Sequence, residues 1–415
     1  MIKHSVVIIG GGPAGMAAAV AACDNGVSDV VILDREEELG GILRQCIHSG
    51  FGLHKLGEEL TGPEYALHYK NMVQKRNIKV YNSTTVLNID KEKIITATNK
   101  NGILKIKARA IVLAMGCRER SRGALNIPGT RPSGIFSAGT AQKLINCDGY
   151  SVGKKVVILG SGDIGLIMAR RMTLEGAKVE AVCEVMPYSG GLTRNIVQCL
   201  EDYNIPLYLS HTIVEIHGQN RLEGVTIAKV DENRNPIENT KRYIPCDTLL
   251  FSVGLIPENE LTKKLGVEID PITGGAVVDQ NRSTSIEGIF ACGNVLQVHD
   301  LVDFVSDEAE IAGKSAAKYV LNNSNKGNAI NTIAGYGIRY VLPQKINLSC
   351  NRDVSLYFRV TRPFNKVKLN VLSQNNVLSS TTKIKVAPGE MEKIIITKEK
   401  IVSDIGDIKV SLEEI

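Results

Sequence analysis

No two of the nine cysteines stand in a Cys-x-x-Cys or other close pair. Cys23, Cys46, Cys117, Cys147, Cys183, Cys199, Cys246, Cys292 and Cys350 are scattered and odd in number, so their spacing supplies no zinc or iron–sulfur ligand set. Scattered thiols behind an N-terminus that runs straight into a strand point to a reducing cytoplasm. No apolar run reaches the roughly 20 residues that span a bilayer, which predicts a soluble chain without a transmembrane segment. Charge of one sign is scarce too. The net +5 lies wholly beyond Asn331, where 13 Lys+Arg stand against 8 Asp+Glu. That stretch has no interleaved aromatics and no nucleic-acid motif, so a solvated face is expected and no nucleic-acid partner.

What is present is a duplication. Val6 to Asp34, VVIIGGGPAGMAAAVAACDNGVSDVVILD, aligns without a gap with Val156 to Glu184, VVILGSGDIGLIMARRMTLEGAKVEAVCE. In each copy a buried apolar strand runs into a glycine turn, a helix, then a second strand closed by an acid. Gly10 matches Gly160, Gly15 matches Gly165, and Asp34 matches Glu184. The first two glycines of such a turn let the backbone approach a pyrophosphate, and the third lets helix and strand pack closely. Pro13 suits a first helical turn, whose N–H groups face the phosphates. The acid accepts hydrogens from an adenosine ribose. Two such units in one chain indicate two dinucleotide sites.

The 415 residues, 43% of them hydrophobic, suffice for roughly three domains at about 150 residues each. After Gly40–Gly41, a surface helix is expected over Pro63–Arg76. Strands follow at Thr84–Ile89, Lys93–Ala97 and Ile103–Lys107, with a turn at Asn101-Gly102, and then a buried strand Ala110–Ala114. The second unit continues through a helix near Thr193–Tyr203 to Thr248–Val253. Residues 285–320 predict a strand, a glycine turn and a long helix. Asn322–Asn328 reads as a linker. Beyond it Leu356, Phe358 and Val360, then Val367, Leu369 and Val371, then Ile408, Val410 and Leu412 alternate with polar residues, which predicts a small antiparallel β domain.

GGGPAG with Asp34, the strand-end Ala114-Met115-Gly116, GSGDIG with Glu184, and GIFACGN at Gly288–Asn294 resemble, in order, the motifs of the pyridine nucleotide–disulfide oxidoreductase superfamily. The resemblance implies an α/β fold of two Rossmann-like domains, the second inserted in the first, with FAD on one and NAD(H) on the other. Expected boundaries are 1–122 and 275–322 for the FAD domain, 123–274 for the NAD(H) domain and 330–415 for the β domain. It carries FAD contacts to Gly10, Gly12, Pro13, Ala14, Gly15, Asp34, Arg35, Gly41, Ile42, Val86, Ala114 and Gly116. Gly293, Asn294 (where the family usually has Asp) and Leu301 complete that set, the last at the start of a helix aimed at the flavin N1–C2=O edge. It carries NAD(H) contacts to Gly160, Gly162, Asp163, Ile164, Gly165, Glu184 and Gly254. A carboxylate at Glu184, with no arginine after it in EVMPYSG, favours NADH over NADPH.

The redox cysteine pair of the disulfide reductases is missing, with a single Cys147 near the thioredoxin-reductase position. GGILRQCIHSGFGL, GCRERSRGAL, CGNVLQVHDLVDFVS and PGEME resemble NAD(FAD)-dependent dehydrogenases that accompany a glycerol-3-phosphate or 2-hydroxyglutarate dehydrogenase-like flavoprotein and a small Cys-containing electron-transfer protein. The opine oxidase, proline dehydrogenase and hydrogen cyanide synthase subunits are more distant. That resemblance implies an oligomeric electron-transfer subunit. The alternatives are a stand-alone NADH oxidase or peroxidase using Cys46, or a cofactor-bound docking subunit that is not catalytic. Cys46 is either redox-active or a small residue beside the flavin. His299, Asp300 and Asp303 flank the flavin-facing helix, where an Asp caps it by default and His299 is a candidate for proton transfer. Arg118, Glu119, Arg120 and Arg122 read as a solvated hinge.

Overall fold

In the computed structural model residues 1–322, 327–374, 376–402 and 404–415 are described. Most of the expected linker Asn322–Asn328 lies outside them. The chain forms two compact units, one of Met1–Cys117 with Pro257–Ile415 and one of Arg118–Ile256.

In the first unit the apolar run Val6–Ile9 lies in the strand Ile2–Ile9, at the centre of a parallel sheet. The order is Lys79–Tyr81, Val30–Leu33, Ile2–Ile9, Gly102–Leu113, Ile289–Ala291. Alternate residues face opposite layers, as strand geometry requires. Val6 and Ile8 meet the helices Pro13–Asp24, Gly62–Lys75 and Val302–Val320. Val7 and Ile9 meet the hairpin Thr85–Ile89/Ile94–Asn99 and the helix Glu260–Leu265. The first and last of the three helices touch through small residues: a Cβ on Gly313 would lie 2.1 Å from Ala18 O.

Two strands expected at Ile103–Lys107 and Ala110–Ala114 are one, Gly102–Leu113. Its first half pairs antiparallel with Ile94–Asn99, and its second half is buried between parallel neighbours. The change from alternating to continuous apolarity marked a change of neighbours, not a break. The chain also re-enters the first unit at Pro257, ahead of the expected residue 275. The reason is that Leu265 and Val267 join Ala276 and Val278 in the apolar layer under the first sheet.

The second unit repeats the plan. Its parallel order is Ile135–Ser137, Thr248–Phe251, Lys155–Leu159, Lys178–Glu184, Leu207–Leu209. The helices Ala138–Asn146, Asp163–Leu174 and Thr193–Cys199 cover one face. The antiparallel strands His211–His217, Gly224–Lys229 and Arg242–Pro245 cover the other. The helix expected to reach Tyr203 stops at Cys199 and continues as a 3-10 turn, Glu201–Tyr203.

The C-terminal segment is a sandwich of a five- and a three-stranded sheet, and all nine of its alternating apolar residues are buried. Among the described residues it departs from the antiparallel expectation where Ala329–Ala334 runs parallel to Ile408–Glu414. It belongs to the first compact unit. Leu342 enters the layer under the first sheet, Arg352 donates to Gln280 O at 2.6 Å, and Asn347 N donates to Gln280 Oε1 at 2.9 Å.

Phe358 is wholly buried between the two sheets. Phe358→Ala should destabilise the first unit by about 3–5 kcal/mol, read as a lowered denaturant midpoint.

Candidate functional site

Each cradle begins where a strand end meets a neighbouring strand end. Gly10 has φ +105°, and a Cβ there would lie 2.3 Å from Ala114 O; Gly160 has φ +101°, with Ser252 O at 2.0 Å. A Cβ on Gly15 would lie 1.7 Å from Gly10 O, and one on Gly165 2.5 Å from Gly160 O. These four positions hold backbone against backbone and tolerate no side chain. The middle glycines differ. A Cβ on Gly12 would meet only Gly41 Cα at 3.9 Å, and one on Gly162 only Ser252 Oγ at 3.9 Å. They leave open the approach to the first helical turn, where a pyrophosphate would sit.

The acids close the cradles in the same way. Asp34, 6% exposed, accepts from Gly11 N with one oxygen and from Glu36 N at 2.7 Å with the other. Glu184, 9% exposed, accepts from Ser161 N at 2.9 Å, Ser161 Oγ at 2.7 Å and Met186 N at 3.0 Å. A carboxylate has about four acceptor sites, so capacity remains for ribose hydroxyls. Burial raises the Asp34 carboxyl above its ordinary value, opposed by the Glu36 and Gly11 amides. The two copies also compensate each other's chemistry. Asp34 is short and draws close to the turn, so a Cβ at position 11 would lie 2.6 Å from Oδ2. Glu184 reaches from farther away and leaves room for Ser161.

Sequence reading missed how far the duplication extends. Gly40–Gly41 stand at the same offset from Gly190–Gly191 as the other matched pairs. Gly40 N donates to Gly11 O at 2.9 Å, and Gly190 N to Ser161 Oγ at 3.2 Å. Gly116 and Gly254, at φ +72° and +99°, follow Ala114 and Ser252 with open space at their Cβ positions. Asp163 Oδ1 accepts from Leu192 N at 2.8 Å and Asn195 Nδ2 at 2.7 Å, bracing the second glycine turn. Ile164 packs against the helical layer. Thr84 N donates to Asp34 O at 2.7 Å, which brings Val86 to the same strand end. Arg35 and Ile42 are exposed.

Gly293 sits against the first cradle, where a Cβ would lie 2.7 Å from that of Ala14. Its N–H donates to Glu308 Oε2 at 2.9 Å. Glu308 is completely buried, pairs with the buried Arg282 at 3.1 Å, and lies 3.4 Å from His299 Nε2. Of this cluster the sequence pointed to Gly293 and His299 but not to Arg282 or Glu308, because its members come from separate elements. His299 is 1% exposed and faces inward. Its Nδ1 lies 3.0 Å from Gln297 O, a pure acceptor, so Nδ1 carries the proton. Burial, partly offset by Glu308, lowers its pKa. Asn294 Oδ1 accepts from His299 N at 3.1 Å and its amide donates to Cys117 Sγ at 3.6 Å. Cys292 is buried, and its thiol is pushed up by that burial.

The capping expectation fails. The N-cap is Leu301, with no side-chain cap bond. Asp300 pairs with Arg359, and Asp303 is buried, its pKa raised by desolvation against the amides of His54, Gly52 and Lys55. Lys55 reaches Asp307 at 2.6 Å and Glu310 at 2.8 Å, latching that loop to the same helix. Cys46 ends the turn Gly41–Gln45, with Sγ 3.3 Å from Ile42 O. The expected hinge is not simply solvated, since Glu119 Oε1 accepts from Gly139 N at 2.8 Å and Arg122 donates to Thr130 O.

Gly12→Ala should fold with little change in melting temperature yet lose FAD by a hundredfold or more, and Gly162→Ala should do the same to nicotinamide binding alone. Gly15→Ala should lose both fold and flavin; flavin absorbance and titration calorimetry separate the three. For His299 the folded pKa is below its ordinary 6.5. The unfolded chain therefore binds a proton the folded one refuses, and stability should fall as pH drops below about 6.5, by at most roughly 1.4 kcal/mol per unit. His299→Gln should flatten that slope in denaturant titrations across pH.

The profile of the pyridine nucleotide-disulphide oxidoreductases matches residues 4–316. The hydrogen cyanide synthase subunit HcnB of Pseudomonas protegens is 26% identical over 63% of this chain and 59% of its own length. An opine oxidase subunit of Agrobacterium tumefaciens is 23% identical over 76% of this chain and 64% of its own. The chain thus spans about three fifths of these relatives. Thioredoxin reductase of T. acidophilum superposes with TM-score 0.62 and 26% identity, covering 78% of this chain and 99% of that one. Among the described residues no helix is long and apolar enough to cross a membrane. Two glycine cradles, each closed by a buried acid, fit the two cofactors of the matched family, and the chain belongs to the pyridine nucleotide-disulphide oxidoreductases, flavoproteins that use FAD and NAD(P)H.

Proposed function

We propose that this oxidoreductase exchanges hydride between NADH and FAD as the electron-transfer subunit of a multi-subunit dehydrogenase of the glycerol-3-phosphate or 2-hydroxy acid type, in the cytoplasm. Asp34 and its cradle take FAD; Glu184 and its cradle take NADH. FAD supplies the two-electron chemistry when bound, and the chain binds and orients the nucleotide that reacts with it. The observation that carries the NADH preference is the buried Glu184 carboxylate, fixed by Ser161 and Met186 where a 2′-phosphate would bring a second negative charge. The subunit role draws support from HcnB and the opine oxidase protein, both named as subunits of larger enzymes. The thioredoxin reductase likeness points instead to dithiol exchange. Against that reading, the sequence offers a single Cys147 where a pair is required. A partner flavoprotein that oxidises the substrate, and a small cysteine-containing carrier, would complete the assembly.

Anaerobic mixing with NADH should bleach the flavin, with kcat/KM at least a hundredfold above that for NADPH, about 2.8 kcal/mol. Glu184→Gln should narrow this ratio tenfold or more. Unbleached flavin at millimolar NADH would leave only a docking role. Cys46→Ser should leave dye reduction intact; loss of a peroxide turnover present in the wild type would favour the oxidase reading instead.

A further inference from the structure

The three-stranded sheet of the C-terminal sandwich lies against the segment that leads into the helix Val302–Val320. Arg359, on the strand Val354–Val360, reaches three groups at once. Its guanidinium donates to Val298 O at 3.0 Å, to Pro388 O at 3.0 Å, and to the Asp300 carboxylate. Both charged side chains are nearly buried, at 13% and 14% exposure. The other Asp300 oxygen accepts from Met391 N at 2.6 Å, so the turn Pro388–Met391 closes over the pair. One turn into the helix, the Phe304 ring packs against Tyr357 of the same strand at 6.4 Å, and Lys393 Nζ sits over both rings at 6.0 and 5.5 Å. On the inner side of the same segment His299 is tied to Asn294, and Asn294 follows Gly293 of the cradle.

We infer that Arg359 is a positioning residue for the flavin: it fixes the Val298–Leu301 segment in front of the helix N-terminus and neutralises Asp300 beside it. The inference rests on the flavin site proposed above. The physical reason is electrostatic as well as steric. The family resemblance implies that this helix N-terminus faces the flavin ring edge on which reduction builds negative charge. A buried, uncompensated Asp300 carboxylate there would oppose that charge. With Arg359 in place the pair is neutral, and the helix N-terminus acts on the flavin undiminished. A planar fork can hold two carbonyls and a carboxylate at once, which a lysine ammonium cannot match in geometry.

The test uses the full-length holoprotein and measures the flavin midpoint potential by equilibration with reference dyes. Arg359→Met should shift the NADH–flavin equilibrium about tenfold against flavin reduction, about 30 mV for a two-electron couple. Asp300→Asn should shift it in the opposite direction, and adding Asp300→Asn to Arg359→Met should recover most of the loss. Arg359→Lys should restore the potential but not the geometry. Amide hydrogen exchange in the flavin-free protein reads that second part. Residues 299–304 should exchange at least tenfold faster in both Arg359→Lys and Arg359→Met. Potentials unchanged in Arg359→Met and Asp300→Asn, or shifted the same way in both, would overturn the inference, as would wild-type exchange rates at 299–304 in Arg359→Met. Should Arg359→Met fail to fold, Asp300→Asn and Arg359→Lys still decide the sign. A purified protein that binds no FAD at all would sink the flavin site itself, a result distinct from an unshifted potential.

Discussion

At the head of each nucleotide-binding unit a helix has to start within contact distance of the strand that feeds it, and a carbonyl oxygen occupies the space a side chain would need. Gly15 over Gly10 O and Gly165 over Gly160 O are that constraint in its barest form. Close approach puts the first helical turn, with its unpaired N–H groups, directly beyond the strand end. It also brings the end of the next strand near enough for its acid to bond the turn's amide. Everything else about the two cradles, from the small residues of Pro13–Asp24 to the bracing of the second glycine turns, keeps that approach in place.

The duplication shows which parts of the arrangement are bound together. The turn residue and the acid vary as a pair, glycine with the shorter acid and serine with the longer one. Both choices leave a carboxylate anchored on two backbone amides with acceptor capacity to spare. The packing beneath is also repeated: helices cover one face of each sheet and antiparallel strands the other, joined in the first unit by the helix Glu260–Leu265. The units differ in what is appended. The first carries the Arg282–Glu308–His299 cluster beneath the Gly293 turn and the sandwich that grips Asp300 from outside. The long helix Val302–Val320 is where these additions meet, since it bears Asp303, Phe304, Asp307, Glu308 and Glu310 on successive sides. It is held by a loop, a buried arginine and a β-strand. Two of the buried acids there are matched by a cation, Glu308 by Arg282 and Asp300 by Arg359.

Both cradles, the order of motifs, the two-sheet plan and the period-two core of the sandwich were legible in the chain, because each depends on residues close in sequence or on strict alternation. Glycine spacing along a strand–turn–helix is a local matter, and so is the distance from the turn to the acid. Tertiary structure decided the rest. The long strand Gly102–Leu113 reads as two because it changes neighbours midway. Asp300 and Asp303 read as caps because the local rule favours that role, but Arg359 and the Gly52–Lys55 amides claim them from elements far along the chain. His299 reads as a candidate for proton transfer at the flavin, and only the fold shows it buried beside Glu308. Charge pairing across 26 residues, as in Arg282–Glu308, or 59, as in Asp300–Arg359, leaves no trace in spacing. Such pairs form only once folding has removed the water that would otherwise have solvated each partner alone.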